Sequence, residues 1–158
     1  MGDNLPLVDL GIESRVKNVV TGYWRTCALL FNDNVKCWGH GNYGQLGSAD
    51  TQDIIVTGEI LPTLQININS YIKLLSGGRF HFCIVYDDLI TYKCVGNNEY
   101  GQLGQGDTNN RGDSTTTIFS KIPAINLGTR NLKISSIHSG GNFNCVVFEM
   151  NQVKWGKA

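Results

Sequence analysis

The stretch Gly22-Tyr23-Trp24-Arg25-Thr26-Cys27-Ala28-Leu29-Leu30 decides the fold, because its pattern returns twice along the chain. The second copy reads Gly78-Arg79-Phe80-His81-Phe82-Cys83-Ile84-Val85, and the third reads Gly140-Gly141-Asn142-Phe143-Asn144-Cys145-Val146-Val147. Glycine precedes cysteine by five residues in every copy. Similarity at a long, regular period indicates a repeat architecture, in which copies of one unit stack on their neighbours.

Further blocks recur in the same register around each copy. A polar turn is followed by Val35-Lys36-Cys37-Trp38-Gly39, by Tyr92-Lys93-Cys94-Val95-Gly96 and by Val153-Lys154-Trp155-Gly156. The motif Tyr43-Gly44-Gln45-Leu46-Gly47 returns as Tyr100-Gly101-Gln102-Leu103-Gly104. The three prolines, Pro6, Pro62 and Pro123, mark one position in the repeat, 56 and 61 residues apart. We therefore predict a single repeat domain over 1–158, with approximate repeats at 1–56, 57–117 and 118–158, the last one truncated.

The local pattern of each unit is that of a β-hairpin. Short apolar stretches rich in β-branched and aromatic residues flank turns rich in Asn and Asp, and no stretch keeps a helical period over three turns. Proline lacks an N–H donor, so the proline segments suit the start or the edge of a further strand. Four short strands in a unit of about 50–60 residues are typical of a propeller blade. The sequence thus predicts an all-β fold of four-stranded antiparallel β-propeller-type blades, in an incomplete ring of about three.

Recurring glycines and tryptophans are interpreted as structural parts of the repeat. We expect one group of glycines where a strand approaches a crowded inner channel or where φ must be positive. A second group brackets a Gln-Leu pair and predicts a tight turn with one buried leucine. The structural set comprises Gly22, Gly78, Gly140, Gly44, Gly47, Gly101, Gly104, Trp38 and Trp155.

Four of the five cysteines fall into two matching pairs, Cys27 with Cys37 and Cys83 with Cys94. If each pair faces across neighbouring strands, its Cβ atoms come within reach of a disulfide. Free buried thiols are the alternative, because cysteine is among the most buried residue types. Cys145 has no equivalent partner and is expected to be a plain core thiol. The cysteine and histidine spacing does not suit zinc.

Composition limits the classes of partner. The 158 residues carry 13 basic and 13 acidic side chains, and the basic residues form no block. Charge therefore gives no support for binding to nucleic acid or to anionic lipid. No apolar run is long enough for a transmembrane helix, and the polar N-terminus shows no signal peptide. We predict no membrane association and leave the compartment open.

No motif in the sequence points to catalysis, so we predict a non-enzymatic protein without a cofactor. His81 lies two residues before Cys83, but residues two apart on a strand only share a face, which favours a structural histidine over a catalytic base. Asp107, Asn109 and Asp113 could offer oxygen ligands to calcium, although the loop lacks the alternation of an EF-hand. That calcium site stays open at this point.

The repeated blocks resemble the repeat of the regulator of chromosome condensation family over nearly the whole chain. The resemblance rests on Cys27-Ala28-Leu29-Leu30 after its glycine, on Val35-Lys36-Cys37-Trp38-Gly39 and on the twofold Tyr-Gly-Gln-Leu-Gly motif. It implies a β-propeller, usually of about seven blades, whereas this chain holds roughly two and a half repeat lengths. We therefore expect either that further copies of the chain complete the ring or that the chain forms no stable closed monomer.

Turns that vary on a constant frame are where repeat proteins contact partners. The varying positions yield the candidate partner-binding residues Trp24, Arg25, Arg79, Phe80 and His81. We predict a protein-interaction or scaffold module that presents these residues to a protein partner. Two alternatives remain: a guanine-nucleotide exchange factor for a small GTPase, as the resemblance implies, and a structural fragment without independent activity.

Overall fold

Three small antiparallel sheets, each made of consecutive strands, form the fold. The computed structural model describes residues 7–12, 14–55, 61–64, 66, 70–129 and 132–156. Pro6 and the other residues before Leu7 lie outside the described part. Each sheet pairs its strands in chain order, and one sheet falls within each predicted repeat. Within the described ranges no helix is long and apolar enough to cross a membrane.

The strands are short and regularly spaced. The first sheet holds β1 (Val16–Gly22), β2 (Arg25–Leu30) and β3 (Val35–Gly39). The second holds β4 (Ile72–Gly77), β5 (His81–Tyr86) and β6 (Tyr92–Gly96). The third holds β7 (Ile134–Ser139), β8 (Asn144–Phe148) and β9 (Val153–Gly156), with a 3-10 turn at Glu149–Asn151 between its last two strands.

The central sheet is covered on both faces. Every residue of β5 is buried, and alternate side chains point to opposite neighbours. Phe82 and Ile84 belong to the core shared with the first sheet, whereas Cys83 and Val85 belong to the core shared with the third. The all-β prediction and the stacking of repeated sheets are confirmed.

The number of strands in each blade differs from the prediction: within the described residues each sheet has three strands, not four. The fourth place is represented by single antiparallel bridges, Gly39 to Ile54 and Gly96 to Arg111. Both glycines have φ in the left-handed region, at +106° and +116°. This conformation turns the chain away from the extended path at the end of the third strand, and within the described residues neither bridge continues into a longer ladder. The described residues around Pro62 and Pro123 form no strand either; they dock on the third strand of a sheet through hydrogen bonds such as Ile125 N to Tyr92 O (2.8 Å).

Two disulfide bonds link the second and third strands of the first two sheets. Cys27 lies directly opposite Cys37 in the strand register, and Cys83 lies opposite Cys94. The Cα atoms are 4.1 Å apart in both pairs, and all four residues are fully buried. The disulfide alternative from the sequence is therefore the one found in the structure.

The third sheet departs from this pattern on the face turned away from the second sheet. Cys145 is opposite Trp155 instead of a cysteine, and it is a free, partly exposed thiol. The expectation of a buried core thiol was wrong, because none of the described residues forms a sheet over that face. All four residues of β9 are exposed, and Trp155 is 72 % exposed, whereas Trp38 of the first sheet is half-buried.

Candidate protein-binding surface

An exposed tryptophan forms the tip of the first hairpin. Trp24 is the second residue of the two-residue turn between β1 and β2, has φ of +58° and is 65 % exposed. A bulky residue in the left-handed region is strained, and such strain is concentrated at functional sites. The Trp24 ring stacks on Tyr23 with a centroid distance of 4.4 Å. The hairpin thus holds a large apolar side chain in solvent on a fixed backbone.

The equivalent turn of the second sheet extends the same surface. Phe80 lies edge-on to Tyr23 at 5.3 Å, and Tyr43 approaches Phe80 at 5.2 Å. The Arg79 guanidinium lies 4.9 Å from the centroid of Tyr23 and 5.0 Å from that of Phe80. We call the group Tyr23, Trp24, Tyr43, Arg79 and Phe80 the aromatic patch.

A backbone hydrogen bond fixes the two turns relative to each other. The N–H of Tyr23 donates to the carbonyl oxygen of Arg79 at 2.8 Å, and the N–H of Arg79 donates onward to Gly140 at 3.1 Å. The patch therefore spans two sheets without depending on side-chain contacts alone. Because its backbone is held, its residues do not have to be ordered again when a partner binds.

Arg25 and His81, two of the predicted surface residues, lie beneath the patch. They are only 2 % and 0 % exposed, so their predicted place on the surface was wrong. Nη2 of Arg25 donates to the carbonyl oxygens of Gly78 (3.1 Å) and His81 (2.8 Å), and Nε2 of His81 donates to Oδ1 of Asn144 (2.9 Å). Both side chains therefore join one sheet to the next. Burial lowers the pKa of Arg25 to about 10.

Two of the three inner glycines, Gly22 and Gly78, create the space for these buried side chains. A Cβ atom on Gly22 would lie 2.6 Å from the carbonyl oxygen of Gly78, and one on Gly78 would lie 2.7 Å from that of Gly140. The same added atoms would also meet the side chain three residues later, Arg25 and His81 respectively. None of the three glycines has a positive φ. Of the two reasons offered for these glycines, close approach at the inner edge is the one the geometry supports.

The Tyr-Gly-Gln-Leu-Gly motifs each form a compact turn around one leucine. Leu46 and Leu103 are fully buried, and the neighbouring glutamines are buried with them. All four bracketing glycines have left-handed φ angles: Gly44, Gly47, Gly101 and Gly104. The first turn also presents Tyr43 to the aromatic patch. The sequence interpretation assigned Tyr43 only to the motif. It did not show that the turn following β3 brings Tyr43 beside Phe80 of the second hairpin tip.

The loop that offered a calcium site is occupied by protein contacts. Nη2 of Arg111 lies 2.6 Å from Oδ2 of Asp107, and the backbone N–H of Asn109 donates to the same carboxylate. Asp113 instead accepts a hydrogen bond from Thr117 at 2.7 Å, so the two carboxylates belong to separate networks. No group of three metal-ligating side chains exists in the described ranges.

A polar groove adjoins the aromatic patch at Tyr43. It encloses about 740 Å³, and Asn97, Glu99, Arg111 and Asp113 contribute to its walls. An apolar centre next to a polar, solvated rim is the usual composition of a protein–protein interface. The patch and the groove together therefore have the make-up of a protein-binding surface.

His81 should make stability sensitive to mild acid. Burial lowers its pKa to about 4; the hydrogen bond that His81 donates to Asn144 opposes this shift, and the charge of Arg25 adds to it. The unfolded chain binds a proton at His81 below its ordinary pKa of about 6.5, whereas the folded chain binds it only near pH 4. The free energy of unfolding should therefore fall by up to about 3 kcal/mol between pH 6.5 and 4. Urea denaturation across this pH range measures the loss. The His81→Gln variant should show a weaker pH dependence of the free energy of unfolding, and an unchanged pH dependence in that variant would contradict the role given to His81.

Comparison with known proteins agrees with this geometry. The regulator of chromosome condensation (RCC1) repeat matches residues 16–45 and, in a second family model, residues 94–147. The ultraviolet-B receptor UVR8 of Arabidopsis thaliana is 32 % identical over 129 residues, which is 80 % of this chain and 28 % of that protein. The secretion-regulating guanine nucleotide exchange factor of Bos taurus is 34 % identical over 128 residues, 81 % of this chain and 24 % of that protein.

A solved structure supports the same conclusion at the level of the fold. Yeast RCC1 (Prp20), in its complex with Kap60, superposes with a TM-score of 0.68 at 18 % identity, covering 89 % of this chain and 32 % of that one. The chain thus spans about a third or less of the length of these related proteins. With two repeat matches and the shared arrangement of stacked sheets, the chain belongs to the regulator of chromosome condensation (RCC1) repeat family.

Proposed function

We propose that this chain is a protein-interaction module that binds a protein partner through the aromatic patch. The observation that carries the proposal is Trp24, which is 65 % exposed in a strained left-handed conformation and stacked on Tyr23. Tryptophan, tyrosine and arginine are the residue types most enriched at binding hot spots. The likeness to propeller proteins, one of them seen in complex with Kap60, supports the same class of function.

The chemistry of the patch indicates the kind of surface that would complement it. Arg79 lies over two aromatic rings and pairs with no carboxylate in the described part of the chain. A complementary partner would place an apolar side chain against the Trp24 ring and a carboxylate against the Arg79 guanidinium. The ring faces already stacked on the guanidinium would hold it in place for such a contact.

Trp24→Gly is the variant that tests this function. Glycine adopts the left-handed conformation without strain, so the hairpin should keep its structure while the indole is removed. For a partner captured by the wild-type chain, we expect affinity to fall at least about 30-fold, as for a hot-spot residue. Titration calorimetry with that partner gives the measurement.

Tyr71→Ala is the matched control. Tyr71 is 68 % exposed, nearly the same as Trp24, but it lies just before β4, at the opposite end of the strands from the hairpin tips. Its removal should leave the affinity unchanged. Equal affinities for wild type and Trp24→Gly, or an equal loss in both variants, would refute binding through the patch.

Nucleotide exchange on a small GTPase is a second candidate, favoured by the likeness to the secretion-regulating guanine nucleotide exchange factor. In this case the GTPase would be the protein partner. Release of labelled GDP from a panel of small GTPases separates the two candidates. Acceleration that Trp24→Gly abolishes would assign exchange to the patch. Binding to a GTPase without acceleration would support the interaction module and refute exchange activity.

A further inference from the structure

His40 lies at the edge of the aromatic patch, directly after β3. Its N–H donates to the carbonyl oxygen of Trp24 at 2.8 Å. Its imidazole ring lies 5.3 Å from the ring of Trp24, with an angle of 44° between the two planes. The His40 side chain is 31 % exposed, so protons reach it from solvent. Both the backbone and the ring of His40 thus contact the residue on which the proposed function depends.

The second repeat places an asparagine, Asn97, at the position of His40. Oδ1 of Asn97 accepts a hydrogen bond from Nε2 of the buried Gln102 at 2.6 Å. In the first repeat, Nε2 of the equally buried Gln45 has no hydrogen-bond partner among the described residues. His40 therefore does not take over the structural role of the asparagine, and its imidazole makes other contacts.

A carboxylate lies beside the same imidazole. Nδ1 of His40 is 3.6 Å from Oδ1 of Asp53, and a backbone N–H holds that oxygen in place at 2.8 Å. Asp50, in the same loop, accepts hydrogen bonds from its own neighbours. The guanidinium of Arg25 binds carbonyl oxygens of the second sheet, and that of Arg79 lies over other rings of the patch. Asp53 is thus the charged group that a proton on the imidazole meets.

Protonation strengthens both contacts of the His40 imidazole. An imidazolium pairs with the Asp53 carboxylate, and a cation within about 6 Å of an indole centroid is attracted to the ring face. Histidine ordinarily changes charge between about pH 5 and 8. The other two histidines do not confuse this range: His81 is buried and its pKa is lowered to about 4, and His138 lies on β7, where it contacts Ser136.

We propose that His40 is a positioning residue for Trp24 and that its protonation makes the aromatic patch bind its partner more tightly at mildly acidic pH. The imidazolium holds the indole in place before the partner arrives, which lowers the cost of ordering it. It also adds positive charge to a patch that offers Arg79 to a carboxylate. The effect on binding rests on the function proposed above, whereas the positioning of the indole does not.

An NMR titration of the chain alone tests the positioning role. The indole N–H signal of Trp24, assigned by its loss in Trp24→Gly, should shift between pH 7.5 and 5.5 together with the imidazole signals of His40. The shift should vanish in His40→Asn, which carries the residue found at this position in the second repeat, and should persist in His138→Gln. An indole signal that does not respond to pH, or that still responds in His40→Asn, would overturn the proposal.

A peptide probe tests the effect on binding. Acetyl-Leu-Gly-Glu-amide offers an apolar side chain for Trp24 and a carboxylate for Arg79, and the carboxylate is largely ionised at both pH values. We expect about fivefold tighter binding at pH 5.5 than at pH 7.5, the size expected of one exposed cation–ring contact. In His40→Asn the two affinities should be equal.

Asp53→Asn separates the ion pair from the ring contact. Asparagine keeps an oxygen for the N–H of Gly41 but removes the charge, so the gain at pH 5.5 should fall to about twofold, because an exposed ion pair contributes modestly. Equal affinities of the wild type at the two pH values would refute the role of His40 in binding. Binding of the probe at neither pH would count against the function proposed for the patch, and the indole titration would then still decide the positioning role.

Discussion

Reduction of the two disulfide bonds is expected to lower the free energy of unfolding by about 5 kcal/mol. Each bond closes a short loop, with sequence separations of 10 and 11 residues. The chain-entropy account gives about 2.5–3 kcal/mol for a loop of that length, because the cross-link restricts the unfolded chain. Urea denaturation with and without a reductant, monitored by circular dichroism, measures the difference.

The double substitution Cys27→Ala and Cys37→Ala provides the control. Under oxidising conditions this variant should be less stable than the wild type by about half of the roughly 5 kcal/mol. A reductant should then lower its free energy of unfolding only by the contribution of the Cys83–Cys94 bond. Cys145→Ser should respond to reductant as the wild type does, since Cys145 is free. An identical urea midpoint for wild type in both conditions would show that the bonds do not contribute to stability.

Phe82→Ala is expected to destabilise the chain by about 3–5 kcal/mol, the range for removal of a buried phenylalanine. Phe82 is fully buried, its ring contacts Phe119, and the Arg25 guanidinium lies 5.3 Å from its centroid. The substitution would open a cavity between the first two sheets and deprive a buried cation of its aromatic neighbour. Thermal and urea denaturation both measure the loss.

Phe80→Ala is the matched control for this prediction. It removes the same side chain two residues earlier, from the partly exposed hairpin turn. We expect a cost of about 1–2 kcal/mol, because the partly exposed ring loses its contacts with Tyr23, Tyr43 and Arg79 but leaves no cavity in the core. Similar losses for the two variants would mean that the gap between the first two sheets is not the principal core.

The repeat pattern was sufficient to predict the architecture. The recurrence of glycine, cysteine and the Val-Lys-Cys-Trp-Gly block placed the three hairpins, and the strands found at β2, β5 and β8 begin within the quoted copies and extend at most one residue beyond them. The strand count was not predictable in the same way. Sequence spacing does not reveal that, within the described residues, the fourth segment contacts its sheet only through a single bridge, at Gly39 and at Gly96.

The candidate surface could be predicted only in part. Variation at the hairpin turns correctly singled out Trp24, Arg79 and Phe80 as exposed or partly exposed side chains. The same variation misled at Arg25 and His81, because a position that varies can also be one that contacts a neighbouring sheet. The glycine three residues before each of them was the available signal, since it leaves a space beneath the turn that the side chain enters.

The residue three positions after the inner glycine differs among the sheets: it is the buried Arg25 in the first, the buried His81 in the second and the exposed Phe143 in the third. Arg25 donates to backbone carbonyl oxygens, at Gly78 and His81, and such groups are present in any neighbouring sheet, whereas His81 requires the side-chain amide of Asn144. Exchanging the second and third sheets would therefore keep acceptors for the guanidinium but would separate the imidazole from its amide partner. The junction between the second and third sheets is thus specific to its side chains, and a chain with shuffled repeats is expected to lose stability there first.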